Sequence, residues 1–364
     1  MVIWRLPWVR RLLPLAILAV MVFPVSGAHA AEVKKAPSDN DVGPSELGTL
    51  SIKFENDLFA GTDRHYTNGL RISWLSPEGG KAYAPLQAIE DFLQTFAQKY
   101  HRDKTRFGWA IGQDIFTPED RFRADLIEDD RPYAGWLYGS LSLHTITADK
   151  DNSSRKTSES VELSLGIVGP QAMGEETQDF VHDLRLIDNF EGWDHQLRAE
   201  PGLMLRYERK WRFRDPVPHG NYLEADWIPR VALSLGNVMT HASFGASVRM
   251  GFNLPRDFGP PGLIQGAEPL SALDDRPHGN WSIYGFLTAE GRIVGHNIFL
   301  DGNTFRDSHS VDKKRWVGDL AAGVAVIYER FTIAYTNALR TKEFEGQRRP
   351  SRFGSITASF QAFF

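Results

Sequence analysis

The chain has 364 residues, 42% of them hydrophobic and 24% charged, with 41 basic against 46 acidic side chains and no cysteine. That length suits one large barrel or two ordinary domains. The acidic balance excludes a nucleic-acid binder working through a basic surface, and the lack of cysteine excludes disulfide staples and thiol nucleophiles.

Residues 1–30 read as a cleaved export leader. Arg5, Arg10 and Arg11 precede an apolar run that ends in Ala28-His29-Ala30, so the cut is expected after Ala30. A membrane anchor is the weaker alternative, because the run is short and is broken by Pro14 and Pro24. Residues 31–47 are polar and punctuated by Pro and Gly, a flexible lead-in. The rest, 48–364, reads as one domain. No later stretch reaches the ~18 uninterrupted apolar residues of a membrane helix.

From there period-two alternation dominates. About twelve strands are expected, over 49–57, 66–75, 106–116, 134–146, 159–168, 201–212, 227–237, 241–253, 281–291, 315–329, 330–341 and 352–364. The last is the clearest: Ile356, Ala358, Phe360, Ala362 and Phe364 share one face, and Ser355, Thr357, Ser359 and Gln361 the other. An export leader, polar inner faces and an aromatic C-terminus together favour an all-β fold, a transmembrane antiparallel β-barrel of about 12 strands, over a soluble sandwich. Lys53, Glu55, Arg71 and Glu162 would fill a narrow lumen. Trp74, Trp109, Trp136, Trp281 and Trp316 are candidates for interfacial girdles.

Two segments have helical spacing. Residues 84–100 place Leu86, Ile89, Phe92, Leu93 and Phe96 on one side, with a lid or plug as the mild expectation. Residues 177–187 do the same with Phe180, Val181, Leu184 and Ile187.

An even strand count puts the loops after odd strands at one mouth. Loops 57–66, 117–133 and 169–200 carry the densest polar clusters and would be neighbours there. Gln178 and His182, four apart, share a helical face, which suits a histidine general base, although such a histidine is more often structural. Asn56, Asp57 and Thr67 offer oxygen atoms that suit Ca²⁺ or, equally, turn capping. His65 reads as loop structure. G-x-S-x-G, H-E-x-x-H and phosphate-binding glycine loops are all missing. What remains is histidine activation of water or a hydroxyl, with or without a metal.

FENDLFAGTDRHYTNGLRISW, GQDIFTP, DDRPYAGWLY, GIVGP and EETQDFVH…GWDHQL, in that order, resemble the outer-membrane lipid A 3′-O-deacylases, the LpxR-like family. The likeness runs from about Leu50 to Phe364. It implies a twelve-stranded outer-membrane barrel whose site lies between the barrel wall and a helical loop, facing the outer leaflet. It also implies Ca²⁺-dependent hydrolysis of the ester-linked 3′-acyloxyacyl group of lipid A, the lipopolysaccharide substrate. By this resemblance Asn56, Thr67, Gln178 and His182 are site residues, and Asp57 is a metal ligand. Asp188 stands where the family pattern has glutamate and is the second expected metal ligand; Arg121 or Arg123 stands near a basic position. Phe364 resembles the terminal signal read by the outer-membrane assembly machinery, and membrane lipid would surround the barrel. The alternatives are an outer-membrane phospholipase, for which a serine in a matching context is missing, and a non-enzymatic porin or receptor.

Overall fold

A computed structural model describes residues 47–57, 65–79, 87–88, 91, 105–120, 122–148, 155–185, 188–214, 223–259 and 281–363. Alternation of side chains produces twelve strands: β1 Gly48–Asn56, β2 His65–Leu75, β3 Thr105–Thr117, β4 Ala134–Ala148, β5 Arg155–Val168, β6 Glu200–Arg214, β7 Leu223–Gly236, β8 Met239–Phe252, β9 Trp281–Asn297, β10 Trp316–Tyr328, β11 Phe331–Arg340 and β12 Ser351–Ala362. Each pairs antiparallel with its sequence neighbours, and β1 pairs with β12 to close the barrel. Closure leaves no unpaired strand edge. The strands match the sequence expectation in number and order, several running a few residues longer. The leader, the lead-in to residue 46 and Phe364 lie outside the described residues. So does most of the helix expected over 84–100, of which only Gln87, Ala88 and Asp91 are described, all helical.

The outward face carries large apolar side chains over β7–β11, among them Leu233, Val248, Leu287, Leu320 and Ile333. At the end where even strands finish, aromatic rings bracket this band: Phe213 stacks on Trp227 at 4.9 Å and Phe331 lies 4.6 Å from Phe360. Trp281 and Trp316 are exposed on the outside, as expected of a girdle. Trp136 is a correction. It is fully buried, stacked 4.2 Å from Tyr138, and together with Phe116, Ile298, Phe299 and Phe353 it belongs to one buried apolar cluster. Tyr138 lies within reach of Arg71 and its partner Glu162, so the Trp136 ring fills the interior instead of marking an interface.

Much of the rest of the interior is a set of paired charges. Arg71 grips Glu162 through two nitrogens at 3.1 and 2.8 Å, and Lys53 meets Glu55 at 2.8 Å. Arg212 and Arg249 converge on Asp226 at 2.7 and 2.6 Å, with Asp257 also on Arg249, while Arg230 holds Glu290. Each long cation comes from a strand position facing inward, and each finds a carboxylate on another inward position. A buried charge without such a partner would cost several kcal/mol (about 3–5).

Six connections follow odd strands and lie at one end, called here the loop end. There the β11–β12 loop inserts Glu343 among Arg131, Arg292 and Arg340 at 3.6, 3.8 and 3.6 Å. Burial by itself raises the Glu343 carboxyl, but these three guanidiniums outweigh it and hold it below the usual glutamate range. His309, from the β9–β10 loop, donates to the Asp130 carbonyl at 2.7 Å. Glu200, at the start of β6, accepts from Asn303 and from the main-chain N–H of Thr304. These ties draw four of the loops together.

Replacing Arg249, which is fully buried, by Met leaves Asp226 without one of its two guanidinium partners and removes the cation from Asp257. The expected loss is about 3–5 kcal/mol in urea unfolding from detergent or lipid; Arg209→Ala, at a 43% exposed pair with Glu159, should cost no more than ~1 kcal/mol. A carboxyl held low in the folded state stabilises above its unfolded pKa and loses that contribution as pH falls through the folded value. The loop end should therefore open to protease below about pH 4, and Glu343→Gln should make it protease-sensitive already at neutral pH.

Candidate active site

Strand parity decides which side of the wall each polar group occupies. Arg71, inside the lumen, is opposite Gly112, so Gln113 and Ile115 point outward together with exposed Ile111. Leu70 is opposite Gln113 and Asn68 opposite Ile115, which sets Asn68 outward as well. Asn56, opposite Asn68 across β1 and β2, follows. The polar ends of β1, β2 and β3 thus form a patch on the outside of the barrel wall, at its loop end.

A helix, α1 (Gly174–Arg185), lies over this wall. The chain reaches it through Gly169, whose N–H donates to the Gly135 carbonyl, and through the 3-10 turn Pro170–Ala172. The Gln113 amide then clips the turn to β3 by donating to the carbonyls of Ala172 and Met173 at 2.6 and 3.1 Å. Gly135 permits the approach: a Cβ there would meet the Ala172 Cβ at 3.1 Å and the Gly174 nitrogen at 3.2 Å. Glu175 and Glu176 sit in the first turn, where the helix dipole favours negative charge.

The helix was expected over 177–187 with an apolar stripe, and a helix on a water-soluble core would bury that stripe. Here Phe180 and Val181 are only partly buried, while Gln178 and His182 are each 2% exposed. The polar side of α1 is the one turned to protein. The physical reason is its place outside the wall, where Gln178 and His182 find their partners in the segment that follows the helix.

The segment after the helix fixes both polar side chains. His182 Nδ1 is 2.9 Å from the main-chain oxygen of Asp188. A carbonyl oxygen can only accept, so Nδ1 carries the proton and Nε2 of the neutral ring keeps its lone pair. The Phe190 ring meets the imidazole edge-on at 5.4 Å. Trp193, from the 3-10 turn Trp193–His195, donates its indole N–H to Gln178 Oε1 at 3.0 Å. Tyr133 packs against both Phe190 and Trp193, with Ile115 of β3 in the same cluster. Ile115 therefore links the helix side to Asn68 and Asn56 on the wall side.

The expected residues fall as follows. Asn56 and Asp57 are buried at the end of β1, Asp57 completely. Thr67 sits where the β2–β3 register shifts, between Tyr66 and Asn68. His182 and Gln178 are together on α1. Asp188 meets His182 through its main chain, and its side chain is exposed. Arg123 lines a separate cavity of about 330 Å³ between the β3–β4 and β11–β12 loops, with Glu119, Asp129 and Arg348 among its walls. Asn68, Phe190 and Trp193 were not among the site residues expected from the sequence. Asn68 stood inside the quoted hairpin, but only its pairing with Asn56 separates it from ordinary turn chemistry.

Among the described residues no three His, Asp or Glu side chains converge as a metal cage. The fit to a hard cation rests on oxygen donors at the wall. Asn68 Oδ1 is buried without a hydrogen-bond partner among the described residues, and its strand partner Asn56 adjoins buried Asp57. An amide oxygen and a carboxylate suit Ca²⁺, which accepts six to eight oxygens and takes the remainder from main chain, water or ligand.

A family model described as outer membrane protein LpxR matches residues 13–362. No curated protein matches the sequence. Among solved structures, LpxR from Salmonella typhimurium superposes with a TM-score of 0.66 at 18% identity, covering 87% of this chain and 100% of that one. The β domain of the Bordetella autotransporter BrkA gives a TM-score of 0.41 at 9% identity, over 87% of this chain and 98% of that one. With the family model spanning nearly all of its length, this chain belongs to the LpxR family of outer-membrane proteins.

Proposed function

We propose that this protein is a lipid A deacylase of the outer membrane, hydrolysing the ester that holds the 3′-acyloxyacyl group. Family membership supports the substrate class, and one observation carries the chemistry. The Asp188 carbonyl holds His182 in the tautomer whose Nε2 can take a proton, on a helix packed against the outside of the barrel. A lipid substrate reaches such a site laterally, from the leaflet, without entering the lumen. The loop end then faces the cell exterior, with Phe364 the signal for the assembly machinery.

In this reading His182 Nε2 removes a proton from water as the water oxygen attacks the ester carbonyl carbon. The Nδ1–H to carbonyl bond stabilises the imidazolium that results. When the tetrahedral intermediate collapses, the C–O bond to the sugar breaks and the imidazolium returns its proton to the leaving sugar oxygen. The products are a fatty acid and the sugar alcohol. Ca²⁺, when bound, supplies positive charge to the developing oxyanion. Asp57 and Asn68 would hold it, Asn56 and Thr67 would shape the loop around it, and Gln178 stands beside the reacting group. Asp188 serves through its carbonyl.

The phospholipase reading differs only in substrate, so the assay decides it. A pore would need an open lumen, whereas this one is crossed by Arg71–Glu162, Arg230–Glu290 and the Trp136 cluster.

Purified protein in vesicles of lipid A and phosphatidylethanolamine should release the 3′ chain of lipid A in calcium, as read by mass spectrometry, and stop in chelator. Release of lysophospholipid with unchanged lipid A would sink the proposal. His182→Ala should reduce the rate by at least ~10³-fold while the folded barrel still shows its heat-modifiable gel shift. Asp57→Asn should raise the calcium concentration needed for half-maximal rate.

A further inference from the structure

The Gln178 amide has two ends, and the structure says which faces the reaction. An indole N–H has only a donor to offer, so the atom it meets at 3.0 Å is an oxygen, Gln178 Oε1. That consumes the acceptor end. The amide nitrogen, Nε2, is buried and has no hydrogen-bond acceptor among the described residues. Leaving buried N–H groups unpaired is costly in a resting protein. A flip of the amide would be worse, setting NH₂ against the indole N–H, donor against donor.

Trp193 cannot readily move to allow that flip. Its ring packs 5.0 Å from Tyr133, and a Cβ on Gly174 would come within 2.9 Å of it, so helix and ring are in close contact. One turn along the same helix face is His182, itself fixed by Asp188 and Phe190. A single segment, 188–193, therefore orients the base and the amide together.

We propose that Trp193 is a positioning residue that holds the Gln178 NH₂ toward the scissile carbonyl, where it donates to the oxygen as negative charge develops. The inference rests on the hydrolase reading above and adds to it a hydrogen-bond donor for the oxyanion, distinct from the cation at the wall. Donors that wait unpaired for a charge present only in the transition state are the pattern of an oxyanion hole.

Three variants test it on lipid A vesicles in saturating calcium. Gln178→Glu keeps an oxygen for the Trp193 N–H and the same shape, but replaces the donor by an acceptor. Gln178→Met removes the donor without adding charge. Both should lower kcat by about 10²–10³-fold, the effect of deleting one such donor, with KM little changed. Trp193→Phe keeps the ring against Tyr133 and releases the amide; it should lower kcat by about 10-fold, and add nothing further in the Gln178→Met background. Heat-modifiability checks that each barrel is folded.

If Gln178 only caps the indole, Gln178→Glu keeps wild-type kcat, and the proposal is overturned. Binding of a long-chain alkyl phosphonate, a tetrahedral oxyanion mimic, separates this outcome from failure of the function itself. Should the unaltered protein leave lipid A intact yet bind the phosphonate at least about tenfold better than Gln178→Met does, the donor stands and the substrate reading falls. Equal binding by the two proteins would overturn the donor as well.

Discussion

Charge pairing across the lumen is the constraint on which the rest depends. Arg249 with Asp226 and Asp257, Arg71 with Glu162, and Arg230 with Glu290 fill the inside of the barrel with ions that satisfy one another. A lumen crossed by these ion pairs is charged where a lipid chain is apolar, and breaking any of the pairs would strand a charge. Chemistry on a lipid must then be built on the outer side of the wall. That side is apolar over β7–β11, so a polar site there needs its own cover. The helix α1 and segment 188–193 supply it over β3 and β4.

The inverted helix follows from the same constraint. Against a water-soluble core, Phe180 and Val181 would point inward and His182 outward. On the outside of the barrel wall no protein core lies beyond the helix, so the buried polar side chains find their partners between helix and wall. Those partners are main-chain and indole groups: the Asp188 carbonyl for the imidazole and the Trp193 N–H for the amide. Two side-chain atoms left without a partner among the described residues, Gln178 Nε2 and Asn68 Oδ1, each adjoin the Ile115 cluster, Gln178 through Trp193 and Asn68 through its pairing with Ile115. One presents a donor and the other an acceptor, the complement that an ester oxygen and a cation require.

The barrel was legible in the sequence because its signal is local. Period two within Ser351–Ala362, for example, needs no knowledge of β1 to be seen, and an even strand count returns both ends of the barrel to one side. The helix and its Gln178–His182 pair were legible for the same reason, since spacing of four is read within one turn. Trp136 was open between a girdle ring and a packed one, because alternation gives two faces and does not say which is inside. The tie that settles it is the stack on Tyr138, an inward residue that meets Arg71. Asn68 and Trp193 were hidden for a related reason. Each acquires meaning only through a partner in another element, Asn56 across the hairpin and Gln178 fifteen residues earlier. Asp188 lies between the two cases: its position was marked, but its contact with His182 runs through the main chain, where residue identity leaves no trace.

That main-chain contact bears on how the site tolerates sequence change. A carboxylate on Nδ1 would hold the ring by charge, and its replacement would alter the basicity of His182 directly. A carbonyl holds the ring by backbone geometry, so the residue at 188 can vary as long as aromatic rings at 190 and 193 keep the segment packed against Tyr133. The aspartate where the family pattern has glutamate is then no obstacle to a working base. The demand falls instead on the packing of three aromatic rings over Ile115, apolar groups that decide which imidazole nitrogen meets the carbonyl.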